Sequence, residues 1–313
     1  MNSVPPKSPE NPDGLLAHAR TLGEALALAT RWLRSDASSD TAALDAQLLL
    51  AHVTGLSRAT LLAFPERLIA QEAAERYAAL VARRVAHEPV GYLTGHREFM
   101  GLDFLTDRRA LIPRPETELL VETALVEVRS RLVAMPDSPP LVADIGTGSG
   151  AIAVALARLE PRLETVYATD VSPDALDLAR ENARRQGVDE RVRFLQGDLL
   201  LPLPRRVDVL LANLPYIAPR DETLLADDVR RYEPSIALYG DDDGLGHLRR
   251  LFAQAPSFVA DGAAIVLEFG YDQRRAVELL ARATFATAEV VIKTDYAGWD
   301  RLAVIHTSAS FHA

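Results

Sequence analysis

The sequence predicts an α/β protein: a doubly wound, seven-stranded, mostly parallel sheet, preceded by a small all-helical N-terminal domain and a β-hairpin linker. Three observations carry that prediction. From Leu141 onward, short apolar runs alternate with segments of helical period, the pattern of strands covered by helices on both faces. Upstream, Leu15 to Ala86 shows helical period alone. The last two strand candidates are joined only by Thr294–Asp300, too short for a parallel crossover, so that pair is expected antiparallel.

A chain of 313 residues has ample material for two domains and a sizeable core. The division expected is a disordered tail over 1–14, a helical domain over 15–87, a hairpin linker over 88–110 and the sheet domain over 111–313. The tail is polar and Pro-rich, without the pattern of a signal peptide, and no apolar run reaches the ~20 residues that span a bilayer. With no cysteine, disulfide and thiolate chemistry are excluded. The seven histidines are scattered, without paired metal-ligand spacing. A net charge of −10 argues against a large nucleic-acid footprint, which needs a basic face. Lysine occurs only at Lys7 and Lys293, so arginine carries the positive charge. Membrane association is not expected, and the cytoplasm is the default location.

Taken in order, Thr21–Arg34 carries Leu22, Ala25, Leu26, Ala29 and Leu33 at helical spacing. Asp40 or Thr41 would cap the next helix, which runs through Leu44, Leu48 and Val53 to Gly55. Gln71–Ala86 forms a third long helix, with Tyr77, Leu80, Val81 and Val85 inward. This bundle is either scaffold or a docking surface. Glu88–Gly95 and Glu98–Phe104 read as two short strands around a turn. Pro113 and Pro115 fix an extended lead into a helix that ends near Leu132. Strands follow at Leu141–Asp144, Thr165–Asp170, Val192–Gln196, Val207–Ala212, Ala263–Phe269, Glu289–Lys293 and Arg301–His306. Helices fall at Ala151–Leu159, Pro173–Gln186, Leu245–Ala255 and Gln273–Ala283.

Ligands of such sheets bind beyond the carboxyl ends of the strands, and the polar residues gather there. Asp144-Ile145-Gly146-Thr147-Gly148-Ser149-Gly150 leaves the first strand and opens a helix; its glycines permit a tight turn and close approach of a ligand. The spacing is G-x-G-x-G rather than the dinucleotide G-x-G-x-x-G. Asp170 ends the second strand, 24 positions after Gly146, where a carboxylate can accept both hydroxyls of a ribose. Each feature alone is also what a plain strand-to-helix turn would show; the pair points to a nucleoside-type cofactor. Asp198 and Leu199 close the third strand, where an adenine edge would lie. The fourth strand ends in Asn213-Leu214-Pro215-Tyr216. Asn213 offers an acceptor and a donor on a short side chain. Pro215 stiffens the turn and biases Leu214 to an extended backbone. Tyr216 gives a flat face with a polar tip. The four residues by themselves equally suit a strand end with Tyr216 as core filler.

Together these features resemble the class I S-adenosylmethionine methyltransferases that act on a planar amide or amine nitrogen. Within that class the chain resembles the release-factor glutamine N5-methyltransferase family, PrmC or HemK. The likeness covers nearly everything after the tail. It rests on Gly91–Gly95 with Arg97-Glu98-Phe99, on Ile112-Pro113-Arg114-Pro115-Glu116-Thr117-Glu118, and on Asp144–Gly150 and Asn213–Tyr216. Tyr232-Glu233-Pro234 with Ala237-Leu238, and Glu268-Phe269-Gly270-Tyr271-Asp272-Gln273, complete it. One position departs: the family pattern is Asn-Pro-Pro-Tyr, and Leu214 replaces the first proline. The resemblance implies S-adenosylmethionine as cofactor and, as partner and substrate, the Gly-Gly-Gln glutamine of peptide chain release factors, with a monomeric enzyme and no nucleic acid. It implies that Gly146, Thr147, Gly148, Ser149, Gly150, Asp170, Asp198, Leu199 and Asn213 bind the cofactor. Asn213, Leu214, Pro215 and Tyr216 would bind the substrate amide and catalyse transfer. Arg114 and Pro115 either close the cofactor pocket or simply start a helix.

Three rivals remain, with a sister family that differs only in its protein substrate. Asn-Leu-Pro-Tyr as written also occurs in rRNA adenine dimethyltransferases, so N6-adenine methylation of rRNA or DNA is the runner-up; it would use the tetrad on an extruded base. The sister glutamine methyltransferases acting on a ribosomal protein usually differ in the Arg-Pro-Glu-Thr-Glu run. A nicotinamide or flavin oxidoreductase fits the glycine spacing poorly, and an adaptor would not need the tetrad. Asp241-Asp242-Asp243 reads as a solvated turn rather than a calcium loop.

Overall fold

The computed structural model describes residues 12–35 and 41–308. The chain divides into two compact units: residues 1–95 with Asp227–Tyr232, and 96–226 with 233–313.

The first unit is helical, with helices Pro12–Ala17, Leu22–Ser35, Ala42–Thr54, Arg58–Ala63, Gln71–Val85 and Val90–Thr94. Residues 1–11 of the expected tail lie outside the described residues, and helix begins at Pro12. Leu22, Ala25, Ala29 and Leu33 are buried, as their spacing predicts, and meet Leu49, Leu50, Leu61, Tyr77 and Val81 in one core. The second long helix is rotated from expectation: Leu44 is exposed and Asp45 is buried in its place. Asp45 tolerates this because Arg84 Nε lies 2.8 Å from its carboxylate. Asp40 is outside the described residues, and Thr41 stands at the cap position without a side-chain cap bond. Gly55 ends that helix in the left-handed conformation, as expected.

Glu88–Gly95, expected as a strand, is helical at Val90–Thr94. Pro89 supplies the extended residue before it and Gly95, at φ 75°, the left-handed one after it. The hairpin therefore forms later, from β1 (His96–Phe99) and β2 (Leu102–Leu105), in the second unit. Met100 and Gly101, both at positive φ, make its two-residue turn. Phe99 and Phe104 meet edge to face beneath it.

The second unit has the predicted seven strands: β3 (Val142–Ile145), β4 (Val166–Asp170), β5 (Val192–Gln196), β6 (Val207–Asn213), β7 (Val259–Glu268), β8 (Glu289–Thr294) and β9 (Asp300–His306). Their order is β5-β4-β3-β6-β7-β9-β8. β9 is antiparallel to both neighbours, and the other pairings are parallel. β3, β6 and most of β7 are buried, which explains their unbroken apolar runs. Helices Glu118–Ala134, Ala151–Leu159, Pro173–Arg185, Gly246–Phe258 and Arg274–Thr284 cover the sheet in two core clusters. After β6 the chain runs through short turns at Pro219–Leu224 and Ser235–Ala237 that its sequence pattern does not announce. β3 lies between β4 and β6, so its end faces the ends of both. No helix among the described residues is long and apolar enough to cross a membrane.

Candidate active site

The loop after β3 turns on Gly146, Gly148 and Gly150, with φ of 72°, 53° and 81°. Side chains rarely adopt that region, and at Gly146 a Cβ would also lie 2.8 Å from Leu214 Cδ2, so Leu214 would have to shift. Gly146 and Thr147 both donate their N–H to the Thr169 carbonyl at 2.9 Å, hanging the loop on β4. Asn182, fully buried, donates to the carbonyls of Ser149 (2.9 Å) and Leu105 (3.2 Å), which fixes the loop to the hairpin. Asp144 lies beneath. Its Oδ2 accepts from Thr147 Oγ1 at 2.6 Å and from Ala153 N at 3.2 Å, while its Oδ1 is buried without a protein partner. Burial raises its pKa to about 7.

Asp170 stands at the end of β4. One carboxylate oxygen accepts from Gly148 N and the other from Ser172 N, each at 2.9 Å. The Val171 N–H also acts on this carboxylate, which keeps acceptor capacity for a ligand. Burial raises its pKa. Past β5, Asp198 pairs with Arg250, and the Leu199 carbonyl accepts from Thr169 Oγ1 at 2.8 Å.

Asn213 ends β6 directly opposite Glu268 of β7. Its Nδ2 donates to Thr117 Oγ1 at 2.9 Å, and Thr117 Oγ1 donates to Glu268 Oε2 at 2.7 Å. The Tyr216 hydroxyl reaches Glu268 Oε1 only weakly, at 3.5 Å. Burial raises the Glu268 pKa to about 7 and pushes the Tyr216 phenol up as well. Gln273 Nε2 donates to the Tyr216 carbonyl at 2.9 Å, while its Oε1 accepts from Gly270 N at 3.0 Å. Glu233, buried, accepts from Ile112 N at 3.1 Å and Arg114 Nη2 at 2.6 Å, anchoring the segment that leads to Thr117.

These elements surround one cavity of about 350 Å³. Of the residues chosen from sequence, Gly146, Thr147, Gly148, Ser149, Asp170, Asp198, Leu199, Asn213, Leu214 and Pro215 line it. Gly150 and Tyr216 do not. Gly150 starts the helix Ala151–Leu159, and a Cβ on it would press on Ala179. Arg114 lines the cavity; Pro115 does not, and instead opens the turn Pro115–Thr117. Sequence reasoning gave no role to Thr117, His247 and Arg250 in the lining, nor to Glu233, Glu268 and Gln273 behind it. Thr117, Glu233, Glu268 and Gln273 fall inside the quoted motifs, which was the available signal; His247 and Arg250 had none. The residues present fit a nucleoside-type cofactor. Side-chain-free turns admit close backbone approach, and the Asp170 carboxylate, an acceptor, stands in the cavity wall beside them.

The seven-stranded sheet with a glycine turn at its central cavity defines a class I methyltransferase, and a methyltransferase domain model matches residues 142–234. The PrmC N-terminal domain model matches residues 24–95. The protein is 44% identical over 282 residues to the release factor glutamine methyltransferase of Moorella thermoacetica, covering 90% of this chain and 96% of that one. It is 45% identical over 265 residues to the enzyme of that name in Burkholderia pseudomallei, covering 83% and 90%. The Bordetella pertussis counterpart is 46% identical over 263 residues, covering 83% and 93%. The chain belongs to the release factor glutamine methyltransferase family.

Proposed function

We propose that the protein transfers a methyl group from S-adenosylmethionine to the N5 amide nitrogen of the glutamine in the Gly-Gly-Gln motif of peptide chain release factors. The observation that carries the reading is the shared cavity: the glycine turn and Asp170 line one part of its wall, and Asn213, Leu214 and Pro215 another. Relatives named for that activity over most of their length support the substrate.

S-adenosylmethionine supplies an electrophilic methyl group. The chain's own residues do the rest. Gly146–Ser149 would receive the methionine and ribose end, Asp170 would accept from the ribose hydroxyls, and Asp198 with Leu199 would border the adenine. An amide nitrogen is a poor nucleophile because its lone pair is delocalised. Asn213 Oδ1 and the Leu214 carbonyl accept its two hydrogens, hold it in attack geometry and stabilise the positive charge that grows on it. Tyr216, which does not line the cavity, supports the site from behind through Glu268 and Gln273. Leu214 provides the same carbonyl as the proline it replaces. The reading carries with it a cytoplasmic monomer acting on release factors rather than nucleic acid, with the helical residues 15–87 docking the substrate's body.

Mass spectrometry of release factor after incubation with enzyme and S-adenosylmethionine tests this, with rRNA and duplex DNA assayed in parallel. A single methyl on the Gly-Gly-Gln glutamine is expected, lost in Asn213→Ala while cofactor affinity changes little. Labelling of nucleic acid with none of release factor would overturn the reading in favour of an adenine methyltransferase.

A further inference from the structure

We propose that Thr117 and Glu268 are positioning residues that decide which end of the Asn213 amide faces the cavity. The inference rests on the reading that Asn213 aligns a substrate amide. An asparagine amide fits its pocket either way round, and only one way serves. Oδ1 towards the substrate accepts an N–H; Nδ2 towards it sets donor against donor.

The geometry selects the productive way with two bonds. Thr117 Oγ1 has one proton, and Glu268 Oε2 lies 2.7 Å away. An ionised carboxylate only accepts, so the hydroxyl proton is committed to Glu268. What Thr117 offers Asn213 is then a lone pair, and the group 2.9 Å from it is Nδ2. Turned over, Asn213 would set lone pair against lone pair. Water cannot repair that clash cheaply, because Thr117 is 5% and Glu268 2% exposed. The three residues come from separate elements: Thr117 from the turn Pro115–Thr117, Asn213 from the end of β6 and Glu268 from the end of β7. Sheet register fixes the last two opposite each other.

The relay works while Glu268 is ionised. A proton on Oε2 would turn it into a donor to Thr117, freeing the hydroxyl to donate to Asn213 and permitting the wrong orientation. Burial, aided by Glu116 from the turn, outweighs the opposing Thr117, Arg301 on β9 and Tyr216 after β6, and the Glu268 pKa rises to about 7. Transfer should therefore decline on the acid side of neutrality.

Thr117→Val keeps the shape and removes the hydroxyl, and Thr117→Ser restores the hydroxyl. The chain has four asparagines, Asn2, Asn11, Asn182 and Asn213, so selective 15N-asparagine labelling gives a simple side-chain spectrum in which Asn213→Ala assigns the relevant pair. In Thr117→Val the Asn213 side-chain amide resonances should shift, kcat for release factor should fall about tenfold or more, and the acid limb should flatten, with the cofactor's Kd unchanged. Thr117→Ser should return all three towards wild type. Unshifted Asn213 resonances in Thr117→Val, or equal losses in the Val and Ser variants, would overturn the relay. If wild-type enzyme leaves release factor unmethylated, the proposed function fails, and the resonances alone still decide the relay.

Discussion

Asp170→Ala tests whether the end of β4 holds a ribose. The carboxylate accepts from Gly148 N and Ser172 N, one on each oxygen, and lines the cavity with acceptor capacity left. Two ribose hydroxyls donating to that carboxylate would make two charge-assisted hydrogen bonds, each about 1.5–3 kcal/mol. The lower end is the better choice, because burial already disfavours the charge, as the raised pKa of Asp170 shows. Two bonds at that end total ~3 kcal/mol, a rise in cofactor Kd of roughly a hundredfold. The variant also leaves the Gly148 and Ser172 amides without their partner, so melting temperature must be followed to separate a looser loop from a lost ligand contact. Asp170→Asn keeps one acceptor and removes the charge, and should fall between. Protonation removes the same charge, so wild-type affinity should weaken as pH is lowered, starting at a higher pH than for an ordinary aspartate. Calorimetry with S-adenosylmethionine reads all of this. A Kd within threefold of wild type in a folded Asp170→Ala variant would refute the assignment.

Leu214→Pro restores the family's tetrad; since the carbonyl is kept, methylation of release factor should stay within about tenfold, ~1.4 kcal/mol of barrier. A larger loss would show that the side chain, 4% exposed and packed over Gly146, has its own role. Asp144 binds a proton more tightly folded, at about 7, than unfolded, so its contribution to stability is full below pH ~4 and is lost as pH rises through 7. Urea unfolding between those limits should show at most about 4 kcal/mol of decline from it. Asp144→Asn should remove that part and leave the declines from Glu268 and Asp170, which have the same sign; an unchanged pH slope would be the contrary result. Arg84→Ala leaves Asp45 buried without its cation and should cost about 3–5 kcal/mol in urea unfolding. Adding Asp45→Asn should recover much of that, and no recovery would mean that Arg84 acts through packing.

What the sequence determined by itself is local. The helix Ala151–Leu159 and the strand Val192–Gln196 lie where period and composition put them, and the Thr294–Asp300 connection is enough to make the last pair antiparallel. A side chain's periodicity reports the face it shows, and connection length limits how strands can pair. The reading failed where a distant partner overrides the local pattern. Asp45 lies inside its helix because Arg84, 39 residues away, neutralises it. Residues 90–94 are helical although they resemble a strand, because Pro89 and Gly95 punctuate a single turn of helix and Leu93 is buried in the bundle core. The site divides in the same way. That Gly146–Ser149, Asp170 and Asn213–Pro215 would gather around one cavity was legible because each sits at a strand end that its own neighbours define. The Thr117–Glu268 support was not: Thr117 is 96 residues from Asn213 and 151 from Glu268. Only the strand order, which sets β6 beside β7, and the register, which sets Asn213 opposite Glu268, bring those side chains together. Order and register follow from burying all the apolar faces at once, a condition on the whole chain that no short window of sequence contains.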